Sequence, residues 1–442
     1  MKVALTNYTG GRSNWGCRAT SIGLVQFLQS ECLPPDVRLD TIALPVAHEL
    51  DRLHEARHGR QLRAIYSSDR PSEADLDLLE DLTRERFGPH FDLVRDADVV
   101  FFQGEGTVGP GNYLQNVRLF GLPFLASRKW KKPVISLNQT IYSSGGADRR
   151  VLASIFSGFD LVAVREAASF AFASEMGLSD RLVCCPDMAF RDVGTAAGHS
   201  AALPGQDYFC VTGSAALKKL DEGMIVRAVD EIARLTGLAP VAVHSRKQDR
   251  EVLETQLAPM LSVGAGEMPD HHELVSVLAG AKFVFGGRYH TAVSALSQTT
   301  PVILLPGNTF KSEGIADLVG VDFRVFAPSE NSAMAKAALD LMVRQDEIRA
   351  SIAVGLRRIA GMQTDFAALV REHLSGRRVD VARYASLRPD VRWTDRHRFD
   401  GVYEKVNRHR RRLVFFPGNA LARLRRSPDF RASIGRTFVD LP

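Results

Sequence analysis

KFVFGGRYHTAVSALSQTTPVILLP, residues 282–306, reads as a buried strand, a glycine break, a helix and a second strand. The apolar run at 282–285 is strand-length, Gly286-Gly287 ends it, and small residues such as Ala292 and Ala295 give the following helix a close-packing face. A second apolar run at 302–305 follows at once. Two parallel strands need a crossover of this kind, and strands buried on both faces read as unbroken apolar runs.

The same alternation extends outward from this unit. Apolar runs at 208–211 and 240–244 precede it, and a further set lies at 2–6, 98–102, 133–137, 161–164 and 182–185, each separated by amphipathic helical stretches. That is the pattern of βαβ units in parallel sheets. A segment at 196–206, rich in Ala, Gly and Ser, reads as a linker between the two sets. At 442 residues the chain also exceeds the ~250–300 residues at which single cores stop growing. The expectation is an α/β protein of two Rossmann-like doubly wound domains facing a cleft, 1–195 and 205–375, with an extension at 376–442. Helical patterning at 333–374 packs the second domain or crosses back to the first.

Composition narrows the function classes. Hydrophobic content of 45% and charged content of 24% are those of a globular protein, which excludes wholesale disorder. The longest apolar runs are strand-length, short of the ~18 uncharged residues a membrane span needs. MKVALTNY reads as a first strand without the apolar core of a signal peptide, which gives the expectation of a cytoplasmic protein. Five cysteines, with no C-x-x-C spacing, predict reduced thiols and no Cys-rich zinc site. The net charge of +5 is uneven: 376–442 carries 17 Lys/Arg against 7 Asp/Glu, or +10, leaving −5 for 1–375. The cations of NRHRRR and ARLRR alternate with apolar residues such as LVFFP, a composition that either lies on an anionic membrane face or stays solvated. No nucleic-acid-binding module accompanies the charge, so no nucleic acid is expected.

Arg288, Tyr289 and His290 stand where strand 282–285 gives way to a helix. The free N–H groups and positive dipole end of a helix start favour an anion. Arg288 adds a planar fork for a carboxylate or phosphate, and His290 a group that changes protonation near neutral pH. A tight turn with a surface arginine is the competing reading of the residues alone. Asp270 to Glu273 form a capping-box pattern rather than a metal site, and Asp75 and Asp77 lie on the polar side of a helix whose stripe is Leu76, Leu79 and Leu82. No metal and no cofactor are expected.

Several pieces together resemble the polysaccharide pyruvyl transferase family. They are VFGGRYH with TTPVILLP and Lys311, DVVFFQGEGT at 98–107, KKPVISLNQT at 131–140, DLVAVREAAS at 160–169 and CCPDMAF at 184–190. Their order covers roughly residues 1–320, and the order is more specific than any piece. The resemblance implies a glycosyltransferase-B-like architecture, phosphoenolpyruvate as donor, and a pyruvate ketal formed on a sugar in surface polysaccharide or glycan assembly. Its partners would be that small-molecule donor and a sugar or lipid-linked glycan acceptor. Carried over by residue, Arg288 and His290 are the catalytic candidates, with Arg165, Tyr289 and Lys311 beside them as donor contacts. Lys247, in HSRKQD at 244–249, is a weaker donor candidate. Asn14, Glu105 and Asn138 are candidates for acceptor or loop contacts, and Glu105 and Asn138 could equally be capping groups that tie loops down. Two departures stand out: Cys17 where the family commonly has an acid, and Glu105 within a loop that is usually all glycine, where it would bring negative charge towards the cleft. A nucleotide-sugar glycosyltransferase and a non-catalytic binding protein, set against the membrane's inner face by the basic extension, are the alternatives.

Overall fold

The computed structural model describes residues 1–46, 49–106, 108, 117–143, 146–191, 206–214, 219–244, 261–263, 271–307, 309–377 and 379–390. The linker at 196–206 lies almost wholly outside them. So do Lys247, the capping residue Asp270 and the basic stretches beyond 390.

Six parallel strands form the first sheet: β1 (Val3–Tyr8), β2 (Leu39–Ala43), β3 (Val99–Glu105), β4 (Val134–Gln139), β5 (Leu161–Val164) and β6 (Leu182–Cys184). Their order is β2-β1-β3-β4-β5-β6. The apolar runs read as unbroken because both faces are covered. Ala4, Val100, Phe102, Val134 and Val162 face one buried cluster, while Val3, Leu5, Val99, Phe101, Ile135 and Ala163 face the other. Neighbours in each strand alternate between the two, as the pleat requires.

The second sheet holds β7 (Tyr208–Ser214), β8 (Ala239–Val243), β9 (Leu261–Val263), β10 (Val284–Gly287) and β11 (Val302–Leu304), ordered β11-β10-β7-β8-β9 and again parallel. The strand order of each sheet reverses once, between β1 and β3 and between β7 and β10. Loops diverge at the carboxyl ends of such switch points and leave a crevice for ligands. Gly286-Gly287-Arg288 sits at the second of them.

The patterning at 333–374 resolves into two helices, Asn331–Val343 and Gln345–Leu374. The second does both things the pattern allowed. Ile348, Ile352 and Ile359 pack into the second domain's core, whereas Phe366, Leu369 and Val370 close one face of the first sheet, where Phe366 stacks on Phe27 at 6.0 Å. Its 30 residues span ~45 Å at ~1.5 Å per residue, long enough to tie the two domains together. Asp75 caps its helix with Ser72 while Leu76, Leu79 and Leu82 are buried, as the stripe indicated. No helix among the described residues is long and apolar enough to cross a membrane.

Candidate active site

Helices from both domains meet where the carboxyl ends of the two sheets face each other. The Trp15–Phe27 helix of the first domain begins beside the Tyr289–Ser297 helix of the second. Asn14 caps the former, its Oδ1 accepting from the Gly16 and Cys17 N–H groups at 3.0 and 3.4 Å. Trp15 is fully buried and belongs to the second domain's core. Gly16 lies flat against His290: a β-carbon there would sit 2.6 Å from His290 Cβ and 2.7 Å from its Nδ1. Glycine is required by this close approach of helix to imidazole.

Asp187 joins the halves. Fully buried after β6, it accepts from Arg165 Nη1 at 2.8 Å on Oδ2, and from Thr20 Oγ1 at 2.6 Å and the Ala189 N–H at 2.9 Å on Oδ1. His290 Nε2 lies 3.6 Å from the same Oδ2. Burial works to raise the Asp187 pKa, but His290, Arg165 and Thr20 outweigh it and hold the carboxyl below the usual carboxylate range.

Arg165, at the end of β5, is only 1% exposed. Its Nε donates to Thr140 Oγ1 at 3.0 Å, Glu166 lies 3.5 Å away, and its guanidinium rests 4.1 Å from the centre of the Tyr289 ring. Lys311 Nζ stands 5.9 Å from the same ring, and His290 meets it edge-on at 5.1 Å. Tyr289 is thus the hub about which Arg165, His290 and Lys311 gather. Burial pushes its phenol well above the ordinary range, so it stays neutral, and its Oη has no hydrogen-bond partner among the described residues. Arg288 is the N-cap residue of the Tyr289 helix and is half-buried.

The structure revises several expectations. Arg165, expected as a donor contact, is not open to a ligand; it is sealed between Asp187, Glu166 and Tyr289, because a buried guanidinium needs its charge balanced. Glu105 does not carry its charge to the cleft. It is 4% exposed and accepts from Gln103 Nε2 at 2.6 Å and from Thr9 Oγ1. Asn138, 2% exposed, donates to Thr20 Oγ1 at 3.1 Å and accepts from the Met188 N–H at 3.0 Å. Glu105 and Asn138 therefore act inside the protein, as the capping alternative had it, and half-buried Asn14 caps the Trp15 helix. Glu105 and Asn138 do so from left-handed backbone, φ 44° and 57°, which turns the ends of β3 and β4.

A sequence profile of the polysaccharide pyruvyl transferase family matches residues 14–308, from the cap of the Trp15 helix to the loop after β11. The chain belongs to the polysaccharide pyruvyl transferase family. No curated protein matches it. Among solved structures it is similar to the UDP-GlcNAc 2-epimerase of Neisseria meningitidis bound to UDP-GlcNAc, with TM-score 0.55, 12% identity, and 85% of this chain and 100% of that one covered. It is likewise similar to the α,α-trehalose 6-phosphate synthase of Burkholderia multivorans, with TM-score 0.52, 12% identity and coverage of 85% and 97%. At such identities the likeness establishes the two-Rossmann, glycosyltransferase-B-like fold, and only that.

Within this family fold, sequence reasoning missed Asp187, Thr20, Trp15 and Gly16. Asp187 stood in the quoted CCPDMAF run, where a lone acid directly after a strand was the available signal. The other three act through contacts that only the tertiary structure makes.

Proposed function

We propose that the chain transfers a pyruvyl group from phosphoenolpyruvate to two hydroxyls of a sugar, forming a ketal and releasing phosphate in surface polysaccharide or glycan assembly. The observation that supports this most is the single carboxylate, Asp187, held between Arg165 of the first domain and His290 of the second, with Lys311 beside the Tyr289 ring and Arg288 at the cap of the Tyr289 helix. A donor with a carboxylate and a phosphate calls for cations, and its methylene carbon calls for an acid. Arg288 and Lys311 bring the positive charge, at a helix start whose N–H groups favour anions. Arg165 acts from beneath, orienting Asp187 and the Tyr289 ring.

His290 is the acid. It protonates the methylene carbon as one sugar hydroxyl attacks the neighbouring carbon, and the proton of that hydroxyl restores the imidazolium. The second hydroxyl then displaces phosphate, whose oxygen takes the second hydroxyl proton. One enol phosphate and two hydroxyls become one ketal and one phosphate, with every proton placed. A cytoplasmic setting, with the basic extension against an anionic membrane face, would put the site near lipid-linked acceptors.

The test is phosphate release from phosphoenolpyruvate across a panel of lipid-linked oligosaccharides. Arg288→Ala and His290→Ala should each lower turnover at least ~10²-fold while the melting temperature stays near wild type. Thermal shift separates the donors. Phosphoenolpyruvate at ~100 times its Kd should add about 2.7 kcal/mol. Stabilisation by UDP-sugars instead would move the chain to nucleotide-sugar chemistry.

A further inference from the structure

The two nitrogens of His290 have different surroundings. Nε2 is buried and directed at Asp187, 3.6 Å from Oδ2. Nδ1 lies along Gly16, whose missing side chain lets helix and ring approach this closely; a β-carbon at that position would be 2.7 Å from it. The His290 side chain retains 16% exposure, and with Nε2 buried, Nδ1 is the nitrogen left to meet a ligand.

Asp187 is built to stay an acceptor. Arg165 Nη1, Thr20 Oγ1 and the Ala189 N–H occupy its oxygens in a fully buried setting. Asn138 braces the arrangement from behind, holding Thr20 with its amide and the Met188 N–H with its carbonyl. A carboxylate so furnished holds a facing imidazole nitrogen in its N–H form and fixes the plane of the ring. Across the domain boundary it also sets where that ring stands.

We infer that Asp187 is a positioning residue that keeps the proton on His290 Nε2 and so makes Nδ1, over Gly16, the nitrogen that exchanges a proton with the substrate. In the reaction proposed above, on which this catalytic consequence rests, Nδ1–H gives its proton to the methylene carbon and takes one back from the attacking hydroxyl. Nε2–H stays bonded throughout, and the carboxylate is never protonated.

The experiment is nitrogen NMR of protein labelled with 15N-histidine, the His290 signals assigned by their loss in His290→Ala, combined with phosphate-release kinetics. In the wild type, neutral His290 should be the Nε2–H tautomer. Asp187→Asn replaces the acceptor with an amide, whose NH2 must face either the imidazole or the Thr20 and Ala189 donors. The Nδ1–H form should then gain population, and kcat should fall ~10–100-fold with the KM for phosphoenolpyruvate within about twofold. Thr20→Val keeps the charge and removes one bond to it. It should shift the tautomer in the same direction, more weakly, and lower kcat less than tenfold, and it serves should the Asn variant fail to fold. An unchanged tautomer in these variants would overturn the proposal, as would a raised KM at constant kcat. Absence of any phosphoenolpyruvate turnover in the wild type would instead defeat the functional reading, and the tautomer measurement would still decide the role of Asp187.

Discussion

Replacing Gly16 with alanine perturbs the contact between domains while removing no functional group. The added carbon would lie 2.6 Å from His290 Cβ and 2.8 Å from Cγ. Carbon contacts settle at ~3.5–4.0 Å, so helix or imidazole must move by ~1 Å. Neither moves cheaply: Trp15 is anchored in the second core, Asn14 caps the helix start, and His290 is lodged between Tyr289 and Asp187. Overpacking of this kind costs ~1–3 kcal/mol, and each kcal/mol lowers the melting temperature of a large domain by ~2–4 °C. A ~1 Å displacement of a reacting group costs up to ~10²-fold in rate. Phosphate release and calorimetry on the same preparation read both effects. A Gly16→Ala enzyme with wild-type kcat and melting temperature would refute the claim that this helix start and His290 form one site.

Four other outcomes follow from the structure. Gly286→Ala should cost at least ~2 kcal/mol in urea unfolding, because the residue has φ 148° and its β-carbon would fall 2.3 Å from the Thr212 carbonyl oxygen. Phe366→Ala should cost ~3–5 kcal/mol by opening a cavity where the long C-terminal helix docks on the first sheet. Burial raises the Glu313 pKa from 4.5 to about 6, so the folded state holds that proton more tightly; the stability this gives is complete below pH 4.5 and is lost as pH rises through 6. Glu313→Gln should then stabilise the protein at pH 7 by up to ~2 kcal/mol and leave it unchanged at pH 4, as read by denaturant midpoints. All five cysteines are buried and outside any disulfide, and burial pushes Cys32 up to about 12 and raises Cys184, Cys185 and Cys210. A thiol reagent at pH 8 should therefore label the native protein slowly and reach five thiols only after unfolding.

The central strands were legible because each is buried on both faces and reads as an apolar run, as at 161–164. The two strands missed, β2 and β9, are both sheet edges. LDTIA at 39–43 buries only Leu39 and Ile42, and LSV at 261–263 is three residues long, so neither makes a run. The Arg288-Tyr289-His290 turn could be read because strand, glycine pair and helix start are local. Its partners could not. Asp187 and Thr20 are 167 residues apart in the chain, and no local pattern says that they share a hydrogen bond. Glu105 and Asn138 show the converse: polar residues at strand ends invite a ligand role, yet burial obliges each to find an internal partner.

Asp187 at the domain boundary makes His290 the point on which the functional account turns, and one variant tests it most directly. His290→Ala should bind phosphoenolpyruvate within a fewfold of wild-type affinity by calorimetry, unfold at nearly the same temperature, and release phosphate with acceptor at least ~10²-fold more slowly. Wild-type turnover in that variant would contradict the assignment of the imidazole as the acid, and with it the proposed chemistry.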